Sequence, residues 1–262
     1  MKRISQRGFT LVEMAIVLVI IGLILGAVSI GKDVQRNAEY TKVKQKFIDQ
    51  WAVAYNAHVQ RTGVVPADSQ TAPRLMVNGF NYIAGAGLSI SGADMTTMTA
   101  RAPICHGAAG PNVDAPAAEG AGVGDFDLRT IMQRAGVRMP PGRAEGSEDR
   151  YVYLDSNGNP QEIQVCFRWN PPDTASGAGN VMVVSGLTPD LARALDQMID
   201  GKADAREGLF RQQGVTNGTG NVPGTEWDVT NQFQYGQLAS AIPANLDENQ
   251  VKTVVAHYKM NQ

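Results

Sequence analysis

From Phe9 to Ile30 the chain runs for about 22 residues with a single charge, Glu13, and as a helix that length crosses the ~30 Å hydrocarbon core of a bilayer. No other stretch restricts the fold so strongly. Lys2, Arg3 and Arg7 stand immediately before it, and positive flanks stay on the cytoplasmic side, so the bulk of the chain is expected to face outward. A carboxylate inside a membrane helix costs roughly 2.5–3.5 kcal/mol at depth and is normally kept for a partner. Glu13 therefore needs a cation. A secretory signal peptide shares the basic start, but its apolar core is about 7–15 residues long and ends at a small-residue cleavage site. A lipoprotein signal needs a cysteine just past the apolar core, and the first cysteine here is Cys105.

The run Gly8-Phe9-Thr10-Leu11-Val12-Glu13 resembles the leader junction of the type IV prepilin and type II secretion pseudopilin superfamily: a leader ending in glycine, phenylalanine next, and glutamate as the fifth mature residue. The resemblance implies cleavage between Gly8 and Phe9 by a prepilin peptidase and methylation of the new amino terminus on Phe9. It also gives Glu13 its cation, the terminal amine of a neighbouring subunit. Both charges would be neutralised in an apolar helical core of low effective dielectric, and the pair would set the register of assembly. The implied partners are the peptidase, other pilin or pseudopilin subunits, an inner-membrane assembly platform and the membrane itself. The implied location is the inner membrane, single-pass with the head in the periplasm, and after assembly a periplasmic or extracellular filament. Many major pilins carry a proline toward the far end of the apolar run, and none occurs here between Phe9 and Ile30. That departure weakens an assignment to the major pilin of a retractile pilus, and the size of the head with its glycine-rich loops favours a minor or specialised subunit. Gly22 and Gly26 form a small-xxx-small pair of the kind that lets helices approach closely, and glycine simply tolerated in a membrane helix is the equal alternative.

Past Ile30 the helical period continues and becomes amphipathic. Val43, Phe47, Trp51, Ala54, Tyr55 and His58 recur at three- and four-residue spacing, with Lys42, Lys46, Asp49 and Gln50 between them. Gly63 is a natural stop with Pro66 just beyond, which predicts one helix from about Thr10 to Thr62. The chain then divides into a cleaved leader (1–8), a transmembrane or filament-core helix (9–30), its amphipathic continuation (31–62) and an extracytoplasmic head (63–262). Roughly 200 residues are enough for the head to bury a core of its own.

Within the head, Tyr151–Leu154 and Glu162–Trp169 alternate apolar with polar positions on either side of Asp155-Ser156-Asn157-Gly158-Asn159-Pro160 and predict a β-hairpin. Further strands are expected at Asn180–Ser185 and Gly79–Ala84. Helices are expected at Phe126–Ala135, at Pro189–Ile199 behind a Thr188 cap, and at Leu246–Tyr258 behind Asn245. The fold class is α+β: a pilin-like long helix, its amphipathic half laid against a small antiparallel sheet. The segments 106–124, 170–179 and 215–224 are rich in glycine, alanine and proline and are expected to be surface loops.

Cys105 and Cys166 are the two cysteines, and in an oxidising compartment a disulfide is the leading expectation, worth about 2–4 kcal/mol. A metal site made of Cys105, His106 and Cys166 lacks ligand-pair spacing. Asp155 and Asn157 have the alternate oxygens of a calcium loop but are first of all turn chemistry, and Asp196, Asp200 and Asp204 surround a helix end at Gly201. Asp155, Asn157, Asp196 and Asp200 are thus weak calcium candidates, and no cofactor is expected. His58, His106 and His257 belong to no nucleophile elbow, His-x-x-x-His pair or phosphate loop, so no enzyme is expected. With 23 Lys and Arg against 25 Asp and Glu, and no basic run after residue 46, nucleic acid is not expected as a partner. The functional expectation is a structural subunit, processed at Gly8, of a type IV pilus or type II secretion pseudopilus. The alternatives are a pilin-like adhesin or substrate-binding tip, and a signal-anchored membrane protein that does not assemble.

Overall fold

The computed structural model describes residues 11–81, 102–109, 127–156, 158–215, 225–227 and 253–260. The leader, Gly8, Phe9 and Asn157 lie outside them. The chain divides into two compact units, Met1–Glu39 and Tyr40–Gln262. In the first, helix α1 (Leu11–Val43) begins with a run that is apolar on every side, and its residues 11–38 are all exposed. No stripe of the helix is selected for burial, as expected of a segment whose natural surroundings are themselves apolar.

The second unit takes up the helix at Tyr40. Five residues, Lys44–Ile48, wind as a π-helix before α2 (Asp49–Thr62) completes the stem. The expected single helix is therefore helical throughout Leu11–Thr62 but is re-phased in the middle. Along this stretch Tyr40, Val43, Phe47, Ile48, Trp51, Ala54, Tyr55 and His58 are all buried. The same winding sets Lys44 beside Asp49, five residues on, with Nζ 2.8 and 2.9 Å from the two carboxylate oxygens. Gly63 ends α2 in the left-handed conformation, its N–H closing on the Val59 carbonyl.

Five antiparallel strands form one sheet: β1 (Arg150–Leu154), β2 (Pro160–Asn170), β3 (Gly179–Leu187), β4 (Phe210–Gln212) and β5 (Val254–Lys259), in the order β1-β2-β3-β5-β4. The stem lies on one face. There Phe167 of β2 meets Tyr55 and Trp51 at ring-centroid distances of 5.1 and 6.1 Å, and Phe47 meets Tyr151 at 5.3 Å. Ile163, Val165, Met182, Val184 and Ala256 complete that side of the core, together with α3 (Leu128–Arg134) and α4 (Pro189–Asp200). Asp127 caps α3 through Thr130 N, and Thr188 caps α4 through Leu191 N. The other face of the sheet buries a small cluster of Cys105, Cys166, Val181, Val183 and Val255. β3 bulges near its end, where Gly186 at φ +82° passes so close to the Glu162 carbonyl that a Cβ would collide with it.

Two predicted elements are corrected. Gly79–Asn81 is a turn of 3-10 helix rather than the start of a strand, because Asp68 gathers the N–H groups of Arg74 and Leu75 and curls this segment tightly; residues 82–84 lie outside the described residues. Val254–Lys259 is strand β5, not the end of a helix. Val254 and Ala256 face the stem-side core while Val255 and His257 are buried on the opposite face, a two-sided burial that a strand achieves and a surface helix does not. Residues 246–252 lie outside the described residues.

The stem–sheet contact should dominate the head's stability. Trp51→Ala is expected to cost about 3–5 kcal/mol, whereas Val53→Ala, two residues on and 59% exposed, should stay within about 0.5 kcal/mol. Urea unfolding of the two variants, followed by circular dichroism, checks this.

Candidate functional site

The amino-terminal helix combines an acid with an uncovered apolar surface. Glu13 occupies the first turn of α1, where the partial positive charge of the helix start favours a carboxylate. Around it Leu11 is 87% exposed, Leu18 69% and Leu23 70%, an uncovered apolar surface of a kind that marks contact with a membrane or another protein. A Cβ placed on Gly22 or Gly26 would meet nothing within 4 Å, so this flank is open to a closely approaching helix. One helix of the described residues, Leu11–Thr62, is long and apolar enough to cross a membrane.

In the head, Cys105 and Cys166 form a disulfide with a Cα–Cα separation of 4.5 Å, tying the 102–109 segment to the middle of β2 across 61 residues. Ile104 and Phe167 exchange backbone hydrogen bonds beside it. The next residue, His106, does not turn toward the sulfurs. Its Nδ1 lies 2.7 Å from the Asp127 carboxylate and its Nε2 lies 2.9 Å from the Gly146 carbonyl. Burial works against the charged form of Asp127, but the His106 ring and the N–H groups of Thr130 and Gly107 outweigh it and hold the carboxyl below its ordinary range. His106 and Asp127 thus brace the start of α3 next to the disulfide. A cleft of about 460 Å³ opens between the end of the stem and α3, beside His58, Thr62, Phe80 and Arg134. Asp68, on its wall, is already committed to the backbone N–H groups of Ser69, Arg74 and Leu75.

Asp155 behaves as a turn residue. Its Oδ1 accepts from Asn159 N at 2.8 Å, and its Oδ2 accepts more weakly from the Asn159 and Gln161 side-chain amides. Asp196 and Asp200 sit at the end of α4 and are the most unusual acids in the chain. Asp196 is fully buried; its Oδ2 accepts from Trp227 Nε1 at 2.7 Å and from Asp204 N at 2.6 Å, while its Oδ1 has no hydrogen-bond partner. Burial, strengthened by the adjacent Asp200 carboxylate, pushes Asp196 up to about 7 despite those two N–H donors. Asp200 accepts from Leu209 N and Phe210 N at 2.9–3.0 Å. Among the described residues, no group of three or more His, Cys, Asp or Glu side chains is placed to hold a metal ion.

His257, which the sequence leaves without a role, is the polar centre of the sheet's second face. Its Nδ1 meets Ser176 Oγ at 2.5 Å and Asn170 Nδ2 at 3.1 Å, and its Nε2 meets Gln213 Oε1 at 3.2 Å. A neutral ring with its proton on Nε2 satisfies all three: Ser176 and Asn170 donate to Nδ1, and Nε2 donates to Gln213. Burial, with Arg168 nearby, pushes the ring down to about 3. Nothing in the sequence signals this network, since its members are spread from β2 to β5.

Residues 3–29 match the family model described as a prokaryotic N-terminal methylation motif. That motif is characteristic of type IV pilin-like proteins and implies processing by a prepilin peptidase. It overlaps the first part of a long helix that packs on a small antiparallel sheet, the α+β arrangement of the pilin-like fold. No curated protein and no solved structure matches the chain.

The depressed His257 fixes a pH dependence. In the unfolded chain the ring takes up a proton near pH 6.5, whereas in the fold it does so only near 3. Its contribution is constant above about 6.5 and is lost as pH falls from there toward 3, by about 1.4 kcal/mol per unit. His257→Gln should remove that slope. Subtracting the variant's unfolding free energy from the native protein's at pH 7.5, 6 and 4.5 isolates the effect from other titrating groups, and a pH-independent difference would refute it.

Proposed function

We propose that this chain is a structural subunit, minor or specialised, of a type IV pilus or type II secretion pseudopilus. It is cleaved between Gly8 and Phe9, methylated on Phe9, and assembled through its amino-terminal helix. The observation that carries the reading is the coincidence, within residues 3–29, of the methylation motif with an apolar helix exposed on every side. A cleaved leader removes Lys2, Arg3 and Arg7, leaving a terminal amine at the start of an apolar rod. That amine is the cation suited to Glu13 of a neighbouring copy.

Before assembly the helix is held in the inner membrane with the head in the periplasm. Transfer into a filament replaces lipid by other helices around the same apolar side chains, so little hydrophobic free energy is gained or lost. Register must come from something directional, and a charge pair in low dielectric supplies it, because a misplaced neighbour leaves both ions uncompensated. The assembly platform and the remaining subunits are the partners this scheme requires. The missing proline in the apolar run, together with a head of roughly 200 residues, supports the minor or specialised role.

Glu13→Leu should leave leader cleavage intact and reduce filament incorporation at least tenfold, while Gly8 replaced by a bulky residue should block cleavage itself. Filaments of normal number and length from the Glu13→Leu strain would eliminate the charge-pair scheme. Intact-mass analysis of sheared surface material and of membranes tests the reading as a whole. A chain starting at methylated Phe9 in the sheared fraction is expected; an uncleaved Met1 form confined to membranes would leave only an anchored protein.

A further inference from the structure

The end of α4 holds two carboxyl groups where one charge is tolerated. Asp200 is fixed as the acceptor for two consecutive backbone N–H groups, Leu209 and Phe210. Asp196, one helical turn earlier on the same face, is fully buried and spends Oδ2 on Trp227 Nε1 and Asp204 N. Its Oδ1 is buried without a partner, and the Asp200 side chain is the neighbour within hydrogen-bonding reach. Two acceptors cannot bond to each other unless one of them carries a proton.

The titratable groups around the pair do not neutralise it. Asp204 is turned to the backbone N–H groups of Arg206 and Thr225 and to Lys202, and Lys202 also pairs with Glu207. Burial, and after it Asp49 of α2, which is held by Lys44, and Asp200, make the Tyr258 phenol of β5 harder to ionise. Glu226, beside Trp227, is exposed. The set leaves the proton as the species that can reconcile Asp196 with Asp200.

What this pair holds is specific. Trp227 is buried, packs on Phe210 at 5.3 Å, and is bonded to Asp196, while Thr225 exchanges hydrogen bonds with Ala205 and Asp204. Residues 225–227 are thereby docked on α4 and β4 largely through the two acids Asp196 and Asp204. We propose that Asp196 and Asp200 are a proton-sharing carboxyl pair that latches the Thr225–Trp227 segment to the head, closed when Asp196 carries the proton and loosened when it gives it up.

The sign follows from linkage. Undocking gives Asp196 to water and to its ordinary carboxylate affinity near 3.9, so the docked form binds more protons wherever Asp196 is protonated in the fold. Docking is therefore tightest in acid and weakens about tenfold per unit as pH rises toward neutrality. For an exported head this is a response to the acidity of its surroundings. It concerns the head alone and holds whether or not the chain assembles.

The test is NMR of the full ¹⁵N-labelled chain in detergent micelles, following the Trp227 indole N–H assigned with Trp227→Phe. Its resonance should titrate near neutral pH, and its protection from hydrogen exchange, corrected for the intrinsic rate, should fall about 100-fold from pH 5 to pH 7. Asp196→Asn reproduces the protonated group, its amide donating to Asp200, and should keep the indole protected at both pH values. Asp200→Asn removes the neighbouring charge and should move the titration toward acid; it serves alone if Asp196→Asn does not fold. The proposal fails if the indole titrates in the ordinary carboxylate range or if Asp196→Asn retains the native pH response. It fails equally if millimolar calcium at pH 7.5 restores full protection, which would make the pair a cation site.

Discussion

The aromatic seam between stem and sheet organises the head. Phe47, Trp51 and Tyr55 come from successive turns of one helix and meet Tyr151 and Phe167 on two neighbouring strands. Each ring buries a large apolar area, and tilted pairs at 5–6 Å add about 0.5–1.5 kcal/mol beyond that area. The π turn at Lys44–Ile48 falls within this seam and carries Phe47 itself. The rest of the core is arranged around the seam. α3 and α4 close the sides, and Trp51 Nε1 reaches the Glu148 carbonyl to fix the chain entering β1.

The two faces of the sheet are built by different means. The stem side is apolar and large; the opposite side holds the disulfide, three valines and a hydrogen-bonded polar set around His257. A small apolar cluster contributes little by area, so a covalent link and a saturated polar network are what give that side a defined arrangement. The network tolerates one protonation state of His257, because a second ring proton would face the Asn170 amide and displace the Ser176 donor.

The stem stripe from Val43 to His58 was legible because one covered face gives it a helical period, and β1 and β2 were legible because they bracket the turn at Asp155–Asn159, although β2 is buried on both faces. The hairpin was legible in Asp155 itself, whose carboxylate does what its turn signature implies. β5 was not, since burial on both faces leaves Val254–Tyr258 with no alternation, and a short apolar run reads equally as helix. β4 is three residues long and exists only because Ala205 and β5 flank it. The π turn was invisible for another reason: the buried positions keep three- and four-residue spacing across it, which reads as ordinary helix. Of the acids, Glu13 was legible because it interrupts an apolar run. Asp196 was not, because its burial depends on Trp227, 31 residues away.

Glu13 and Asp196, one in each of the chain's two units, pose the same physical problem. Each is a carboxylate in surroundings that do not solvate it, and each is stable only with a positive species nearby. Asp196 is fully buried with one carboxylate oxygen unpartnered, and the proton proposed above is the small species that adds the donor Asp200 lacks. For Glu13 the surroundings are the apolar flanks of a helix with no such enclosure, so a full-sized cation on another chain can approach. The difference in enclosure decides the consequence. A buried acid answers to pH, whereas one on an exposed helix can meet a group on another chain, and the burial of Asp196 and the exposure of the helix around Glu13 follow that division.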